Sequence, residues 1–304
     1  MQQDFYFDYC IVGLGNIGIL ISYFLRERKY AVISRRSKGT HMKVVLKRGG
    51  EKIWSENVNT FPPDSKIKCD ILILSLKAYD IPWALSYLKD KGKRVAIFSN
   101  GLGLLEMAST SFGINNSVAT SITYGLTSCG ENCSEIRGDG EIRIGGMGSS
   151  EALKMAEQIA EEIRRGGGKA HAEMNILPHL WLKGIVNSAI NPVTAILRKP
   201  NGFVVENEYA QEIVEKVAEE GKEIAEKLGI SLERDPLEAI IDVASRTKSN
   251  YSSMLQDILN GRRTEIDFIN GYIVREGIRL GIKVDINLSL YLLVKALENR
   301  MGSG

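Results

Sequence analysis

The hydrophobic and polar positions divide the chain into two stretches with different periodicities. From residue 9 to residue 99, short apolar runs rich in β-branched residues alternate with segments of helical period. Short apolar runs flanked by helices are typical of buried parallel strands, which we predict at residues 9–12, 31–33, 71–74 and 95–98. Residues 117–148 are rich in Thr, Ser, Ile and Gly, and they predict antiparallel strands that close the sheet.

Beyond about residue 175 the chain is nearly all helical by period. The predicted helices cover residues 177–196, 204–228, 236–245, 264–280 and 288–300. We therefore predict a Rossmann-type α/β domain over residues 1–174, followed by an all-α domain over residues 175–304. A length of 304 residues fits two domains, because single hydrophobic cores stop growing near about 250 residues.

Composition and charge narrow the class of protein. The chain is 44% hydrophobic and 25% charged, as globular proteins are, and a formal net charge of +2 gives no reason to expect nucleic acid or a membrane surface as a partner. No run of about 18 uninterrupted apolar residues predicts a membrane span. The first eight residues lack the basic stretch and apolar run of a secretory signal, so we expect a cytoplasmic protein.

The four cysteines give little sign of a metal site. Cys129 and Cys133 are four residues apart with no histidine nearby to complete a zinc site, so we expect no metal. Reduced structural cysteines are the expectation for a cytoplasmic chain, and a Cys129–Cys133 disulfide is the alternative.

Gly13, Gly15 and Gly18 form a Gly-x-Gly-x-x-Gly motif between the first predicted strand and an apolar helix. In that setting the first glycine permits a tight turn, the second lets a pyrophosphate approach the backbone, and the third permits close helix–strand packing. The backbone N–H groups at the helix start, at Asn16 and Ile17, can receive the phosphates. The alternative is a glycine-rich turn that serves packing alone.

The residues after the second predicted strand favour NADP(H) over NAD(H). An NAD site places Asp or Glu there to bind the ribose 2′-hydroxyl, whereas this chain has Ser34, Arg35 and Arg36 and no acidic residue from Arg28 to Gly50. An arginine suits a 2′-phosphate, because its fork matches the phosphate oxygens. A solvated basic face is the alternative, and the pattern does not decide which arginine binds.

Lys77 and Asn100 follow the third and fourth predicted strands. Doubly wound folds bind their ligands at the carboxyl ends of strands, where a lysine can reach a phosphate and an amide can orient a nicotinamide or a substrate oxygen. Taken singly, each residue is as well explained as a surface lysine or a turn asparagine.

In the all-α stretch, Lys183, Asn187 and Asn191 recur every four positions and so share one face of a helix that is otherwise apolar. A solvated polar stripe is the alternative, but a solvent face normally carries more charge. Further on, a turn at residues 260–261 allows Ser253 and Glu265 to converge. By pattern alone, Ser253 is equally a helix N-cap and Glu265 a first-turn acid.

Five ordered landmarks together resemble the ketopantoate reductase family. They are Gly13-x-Gly15-x-x-Gly18, Ser75-Leu76-Lys77-Ala78-Tyr79, Asn100-Gly101, Lys183-x3-Asn187-x3-Asn191-Pro192, and residues 252–257 leading to residues 264–267. The resemblance implies a Rossmann-type domain joined to a helical domain like that of 6-phosphogluconate dehydrogenase, with substrate in the cleft between. It also implies NADPH-dependent reduction of 2-dehydropantoate to pantoate, a step in making pantothenate and coenzyme A.

The same resemblance implies roles for individual residues. Lys183 would be the general acid and Glu265 a second catalytic carboxylate, while Arg35 and Lys77 would contact the cofactor. The implied substrate ligands are Asn100, Asn187, Asn191 and Ser253. Because such enzymes also act on other 2-keto acids, a sister activity is one alternative. A non-catalytic NADP(H)-binding regulator is another, and a homodimer is the expected assembly.

Overall fold

A computed structural model describes residues 5–301 of the chain and divides them into two compact units. The first, here called the α/β unit, comprises residues up to 99 together with residues 104–176. The second, here called the helical unit, comprises residues 100–103 and the chain from residue 177 onward. The short segment 100–103 therefore belongs to the helical unit, although our prediction placed it in the first domain. Residues 1–4, part of the stretch in which we found no secretory signal, lie outside the described residues.

The α/β unit contains one mixed sheet of eleven strands in the order β11-β10-β7-β6-β5-β1-β2-β4-β3-β9-β8. The strands are β1 (Phe5–Val12), β2 (Tyr30–Ile33), β3 (His41–Arg48), β4 (Glu51–Phe61), β5 (Ile67–Leu74), β6 (Gly92–Ile97), β7 (Ser117–Ile122), β8 (Gly125–Gly130), β9 (Cys133–Gly138), β10 (Ile142–Gly145) and β11 (Ala170–Glu173). The helices are α1 (Asn16–Phe24), α2 (Ile81–Tyr87), α3 (Leu104–Phe112) and α4 (Ser150–Arg165).

The centre of the sheet is the part that periodicity predicted. Strands β2, β1, β5 and β6, which correspond to the four predicted apolar runs, pair in parallel, and the last four residues of β1 and of β5 are all buried. Strand β7 also pairs in parallel with β6, although we predicted antiparallel strands in that stretch. Helices α1 and α4 cover the sheet with apolar side chains such as Leu20, Phe24 and Ile159. Parallel pairing needs crossover connections, and this is why the apolar runs are separated by helices.

Two features of the sheet differ from the prediction. Strands β3 and β4 form an antiparallel hairpin that the basic composition of this stretch concealed. The predicted antiparallel strands of residues 117–148 also split between two places. Strands β7 and β10 pair with each other, whereas β8 and β9 form a hairpin whose second strand pairs in parallel with β3.

The expectation of reduced cysteines is wrong for one pair. Cys129 and Cys133 form a disulfide with a Cα–Cα distance of 5.1 Å. The β8–β9 hairpin explains this, because its turn pairs Gly130 with Cys133 and so brings the two cysteines within the distance that a disulfide spans.

The helical unit contains α5 (Leu177–Leu197), α6 (Phe203–Glu206), α7 (Glu208–Lys227), α8 (Pro236–Arg246), α9 (Ser253–Leu259), α10 (Asn270–Leu280) and α11 (Asp285–Met301). Two predicted helices are interrupted. The helix expected at 204–228 breaks at Asn207, whose side chain accepts a hydrogen bond from the Ala210 N–H and caps α7. The helix expected at 264–280 begins instead as a separate 3-10 turn, Ile266–Phe268, ahead of α10.

Helix α5 is the core of this unit. Its buried residues Val186, Ala189 and Val193 pack against α7 and α8. By length and composition, α5 is also the one helix among the described residues that could cross a membrane, but 67% of its most apolar window is buried inside the protein. That burial is the behaviour of a core helix.

Candidate active site

The glycine motif forms the turn from β1 into α1. Gly13 has a φ of +98°, which L side chains rarely adopt, and a Cβ added there would lie 2.8 Å from the carbonyl oxygen of Ser75. A Cβ at Gly18 would lie 2.2 Å from the Gly13 oxygen, so neither position tolerates a side chain. Ser75 Oγ lies 3.0 Å from the carbonyl oxygens of both Val12 and Gly13 and ties this turn to β5.

Gly15 differs from Gly13 and Gly18, because the space around it shows whether the turn can accept a dinucleotide. A Cβ at Gly15 would meet nothing within 4 Å, so the space beside this backbone is open. No side chain caps the start of α1, and no acidic residue lies in its first turn, where Asn16 and Ile17 are half-buried. An open approach to an uncapped helix N-terminus suits a pyrophosphate, because the helix dipole and the N–H groups favour an anion.

The two arginines after β2 have different surroundings. Arg35 donates to Asp80 Oδ1 at 2.9 Å, and its guanidinium carbon lies 4.2 Å from the centre of the Trp83 ring. Arg36 donates to Asn132 Oδ1 at 3.2 Å. Both arginine side chains are about half exposed, at 54% and 55%, so both are accessible to a ligand. Lys77 is half-buried in the same unit, directly before the 3-10 turn Ala78–Asp80.

The other predicted residues lie in the helical unit, where Lys183 is the centre. Its ammonium donates to Asn100 Oδ1 at 2.9 Å. A Cβ at Gly184 would lie 2.8 Å from the Leu102 side chain, so a larger residue there would force Leu102, two residues after Asn100, to shift. The segment that carries both residues is anchored by the Leu102 N–H, which donates to the Phe268 carbonyl at 2.8 Å.

Burial lowers the pKa of Lys183 from 10.5 to about 8, and the attraction of the Glu265 carboxylate opposes part of that fall. Glu265 is itself only 7% exposed and lies at the start of the 3-10 turn before α10. A lysine with a pKa near neutrality can hold a proton at pH 7 and still release it to a developing alkoxide. The alternative of a solvated stripe on α5 is therefore wrong at Lys183, and also at Asn191, which is buried.

Three of the predicted ligands retain hydrogen-bonding capacity. Within residues 5–301, the side chains of Asn187, Asn191 and Ser253 make no hydrogen bond to the protein. Ser253 is exposed at the first position of α9, and the N-cap of that helix is Ser252, whose Oγ accepts from the Leu255 N–H at 3.1 Å. The N-cap explanation of Ser253 is therefore wrong. The amide atoms of Asn191 are not among the buried atoms that lack a partner in the described residues, so they remain open to a ligand.

Sequence reasoning missed the residue that allows a proline inside α5. Pro192 has no N–H to donate to the Ser188 carbonyl, yet α5 continues to Leu197. Asn270 Nδ2 donates to that carbonyl at 2.9 Å and also to Asn287 Oδ1 at 3.0 Å. Asn270 is fully buried, and the predicted helix at 264–280 placed it among ordinary helical positions, so no local signal marked it.

A glycine turn open to a dinucleotide and a desolvated lysine among amides together define a nicotinamide-dependent oxidoreductase. Comparison with known proteins specifies the class further. The family described as ketopantoate reductase PanE/ApbA matches residues 9–149, and its C-terminal part matches residues 175–298. The chain therefore belongs to the ketopantoate reductase family.

Individual relatives cover nearly the whole chain. A 2-dehydropantoate 2-reductase of Pyrobaculum aerophilum is 34% identical, over 97% of this chain and 99% of its own length. The crystal structure of a PanE/ApbA family ketopantoate reductase from Ralstonia eutropha JMP134 is 25% identical, with a TM-score of 0.84 over 97% of this chain and 99% of its own. A ternary structure of D-mandelate dehydrogenase with NADH and anilino(oxo)acetate is 21% identical, with a TM-score of 0.87 over the same shares, and shows the common fold.

Proposed function

We propose that the protein reduces 2-dehydropantoate to pantoate with NADPH, with Lys183 as the general acid, in the synthesis of pantothenate and coenzyme A. The observation that carries the proposal is Lys183 itself, a desolvated ammonium bound to Asn100 and attracted by Glu265. The names of the family and of the 34% identical relative supply the substrate.

The proposed site of the cofactor is the α/β unit, which corresponds to the domain that we predicted over residues 1–174. Gly13, Gly15 and Gly18 with the N–H groups of Asn16 and Ile17 would hold the pyrophosphate. Either Arg35 or Arg36 would hold the 2′-phosphate through charge-assisted hydrogen bonds, and Lys77 would contact the cofactor. The nicotinamide supplies a hydride when the cofactor is bound.

The helical unit is the proposed site of the keto acid. As the keto carbon is reduced, negative charge develops on its oxygen, and Lys183 Nζ donates a hydrogen bond to that oxygen and then transfers its proton. Asn100 orients the ammonium. The amides of Asn187 and Asn191 and the hydroxyl of Ser253 are neutral donors, so they bind the substrate carboxylate without discharging it. Glu265 keeps Lys183 protonated in the resting enzyme.

The test is turnover of 2-dehydropantoate by purified protein, followed through NADPH oxidation. Lys183→Ala should lose about 10²- to 10⁴-fold in turnover and still bind NADPH. Lys183→Arg should also be poor, because guanidinium keeps the charge but does not release its proton. Near wild-type turnover by the alanine variant would refute Lys183 as the acid, and Glu265 would become the leading residue.

A related activity on another 2-keto acid with NADH is a second proposal. It is supported by the Asp80 carboxylate on Arg35, which competes with a 2′-phosphate, and by the shared fold with D-mandelate dehydrogenase. Turnover of 2-dehydropantoate, pyruvate and 2-oxoisovalerate with each cofactor separates the two proposals.

We also propose that the enzyme works in the cytoplasm as a homodimer. Leu292 and Leu293 support the dimer, because both lie more than half exposed on α11. Light scattering of the purified protein measures its mass directly, and a monomer at micromolar concentration would refute this assembly.

A further inference from the structure

One face of α11 holds the turn that carries Glu265. Tyr291, Lys295 and Glu298 are spaced at i, i+4 and i+7, so their side chains lie along the same face of the helix. All three side chains bind residues on either side of Glu265. Within the described part of the chain, none of their hydrogen bonds goes to Glu265 itself. The face therefore acts on Glu265 through its neighbours in the chain.

Glu298 makes the contact on the N-terminal side. Its Oε1 accepts hydrogen bonds from both the backbone N–H and the hydroxyl of Thr264, each at 2.7 Å. Thr264 is fully buried and the Glu298 side chain is only 8% exposed, so both donors are satisfied away from water. The Thr264 hydroxyl oxygen in turn accepts from the Ile266 N–H at 3.2 Å, which spans Glu265.

Asp267 makes the contact on the C-terminal side. Its carboxylate accepts from Tyr291 Oη at 3.0 Å and from Lys295 Nζ at 3.3 Å, and Lys295 also bonds Glu298 Oε2 at 2.8 Å. Glu265 thus lies between two residues that are fixed to the same helix.

We propose that Glu298 is a positioning residue, which fixes the turn at Thr264 and thereby holds the Glu265 carboxylate within electrostatic reach of Lys183. The inference rests on the proposed role of Lys183. Glu298 does not touch the reacting atoms, and its effect passes through the backbone of residues 264–266.

The direction of the effect follows from the charges. The Glu265 carboxylate raises the pKa of Lys183 against the effect of burial, so a carboxylate that moves away lowers it. As a general scale at an effective dielectric constant of about 20, moving a carboxylate from about 4 Å to about 6 Å from an ammonium lowers the pKa of the ammonium by about 1. The charged and titratable groups on the elements that carry and hold this turn include Arg263 and Asp267 on the turn, Tyr291, Lys295 and Glu298 on α11, and Tyr272 and Arg275 on α10.

Three variants separate positioning from the direct effect of the Glu298 charge. Glu298→Ala removes both the charge and the acceptor of Thr264. Glu298→Gln removes the charge but keeps a carbonyl oxygen in place for Thr264. Glu276→Ala is the matched control, because Glu276 forms an i,i+3 ion pair with Arg279 in the same unit and has no contact with the turn.

The measurement is the pKa of Lys183 by carbon NMR of protein labelled at the lysine ε-carbon, with the signal assigned by its absence in Lys183→Arg. The basic limb of the pH profile of kcat/KM, with NADPH and 2-dehydropantoate, is the second readout. We expect Glu298→Ala to lower the Lys183 pKa by about 1 and to move the basic limb down with it. Glu298→Gln should produce less than half of that change, and Glu276→Ala should produce none.

An equal fall in Glu298→Gln and Glu298→Ala would overturn the proposal, because the Glu298 charge alone would then explain it. A Lys183 pKa that stays in place in Glu298→Ala would overturn it as well. If Glu298→Ala does not fold, Glu298→Gln decides the question. A fall of about 1 or more in the Lys183 pKa of that variant would overturn the proposal. The NMR titration needs no turnover, so it decides the role of Glu298 even if Lys183→Ala proves fully active and the proposed function fails.

Discussion

Replacing Lys183 by methionine should make the protein more stable and inactive at the same time. Methionine fills a similar volume without a charge, so the variant removes the ammonium that burial penalises and keeps most of the packing on α5. A functional lysine that lowers stability is expected where a site needs a proton donor with a reduced pKa.

The magnitude follows from the pKa of Lys183. A fall from 10.5 to about 8 in the folded protein corresponds to a penalty of about 3 kcal/mol on the charged form, at about 1.36 kcal/mol per pKa unit. The variant also loses the hydrogen bond from Lys183 to Asn100 Oδ1, and this loss offsets about 1 kcal/mol of the gain in stability. We therefore expect a net gain of about 1 to 3 kcal/mol in the free energy of unfolding at pH 7.

The difference in stability between the wild type and Lys183→Met should depend on pH. Between pH 8 and 10.5 the unfolded chain keeps the Lys183 proton that the folded protein has released, so the wild type gains stability with rising pH relative to the variant. Urea unfolding at pH 7 and pH 10 measures the difference, which should be largest at pH 7 and should shrink at pH 10. Lys283→Met, at an exposed position, is the control and should change little. A Lys183→Met protein that is less stable than wild type at both pH values would refute the reasoning.

Three further sets of variants test the rest of the site. Ser253→Ala should weaken substrate use by about 1 to 3 kcal/mol in kcat/KM and leave the melting temperature unchanged, because Ser253 is not the helix cap. Of Arg35→Ala and Arg36→Ala, the variant that removes the arginine bound to the 2′-phosphate should reduce the preference for NADPH over NADH, measured as kcat/KM, about tenfold. If the wild type uses NADH as efficiently as NADPH, both assignments are wrong. Asn270→Ala should lower the free energy of unfolding, measured in urea, by about 1 to 3 kcal/mol. Adding Pro192→Ala should restore part of that loss, because alanine supplies the backbone N–H that proline lacks. If the two substitutions lower stability additively, Asn270 does not compensate for Pro192.

The sequence predicted the parts of the fold that depend on local pattern. The parallel strands β1, β2, β5 and β6 were predicted because full burial on both faces makes each of them a continuous apolar run. The hairpin of β3 and β4 was missed because only one of its faces is buried, and its exposed face carries Lys43, Lys47 and Lys52. A half-buried basic strand has the composition of a loop.

The site was predicted only as far as spacing along one element allowed. Lys183, Asn187 and Asn191 share a helix face because they lie four residues apart, and that is a local fact. The contact between Lys183 and Asn100 joins residues far apart in the chain, and no periodicity encodes it. The resemblance to a family assigned both residues to one site but did not specify their contact.

The polar side chains of α5 divide into two groups that explain how one helix serves both the core and the chemistry. Ser188 and Thr194 hydroxyls donate to carbonyls one turn back, so they satisfy themselves within the helix. Asn187 and Asn191 make no such bonds within the described chain, although an amide at these positions has carbonyls of α5 within its reach. A helix that only needed burial would carry apolar residues at these positions. The two amides lie on the same face as Lys183, and this grouping of open hydrogen-bonding side chains with a proton donor supports our proposal that the face binds the keto acid.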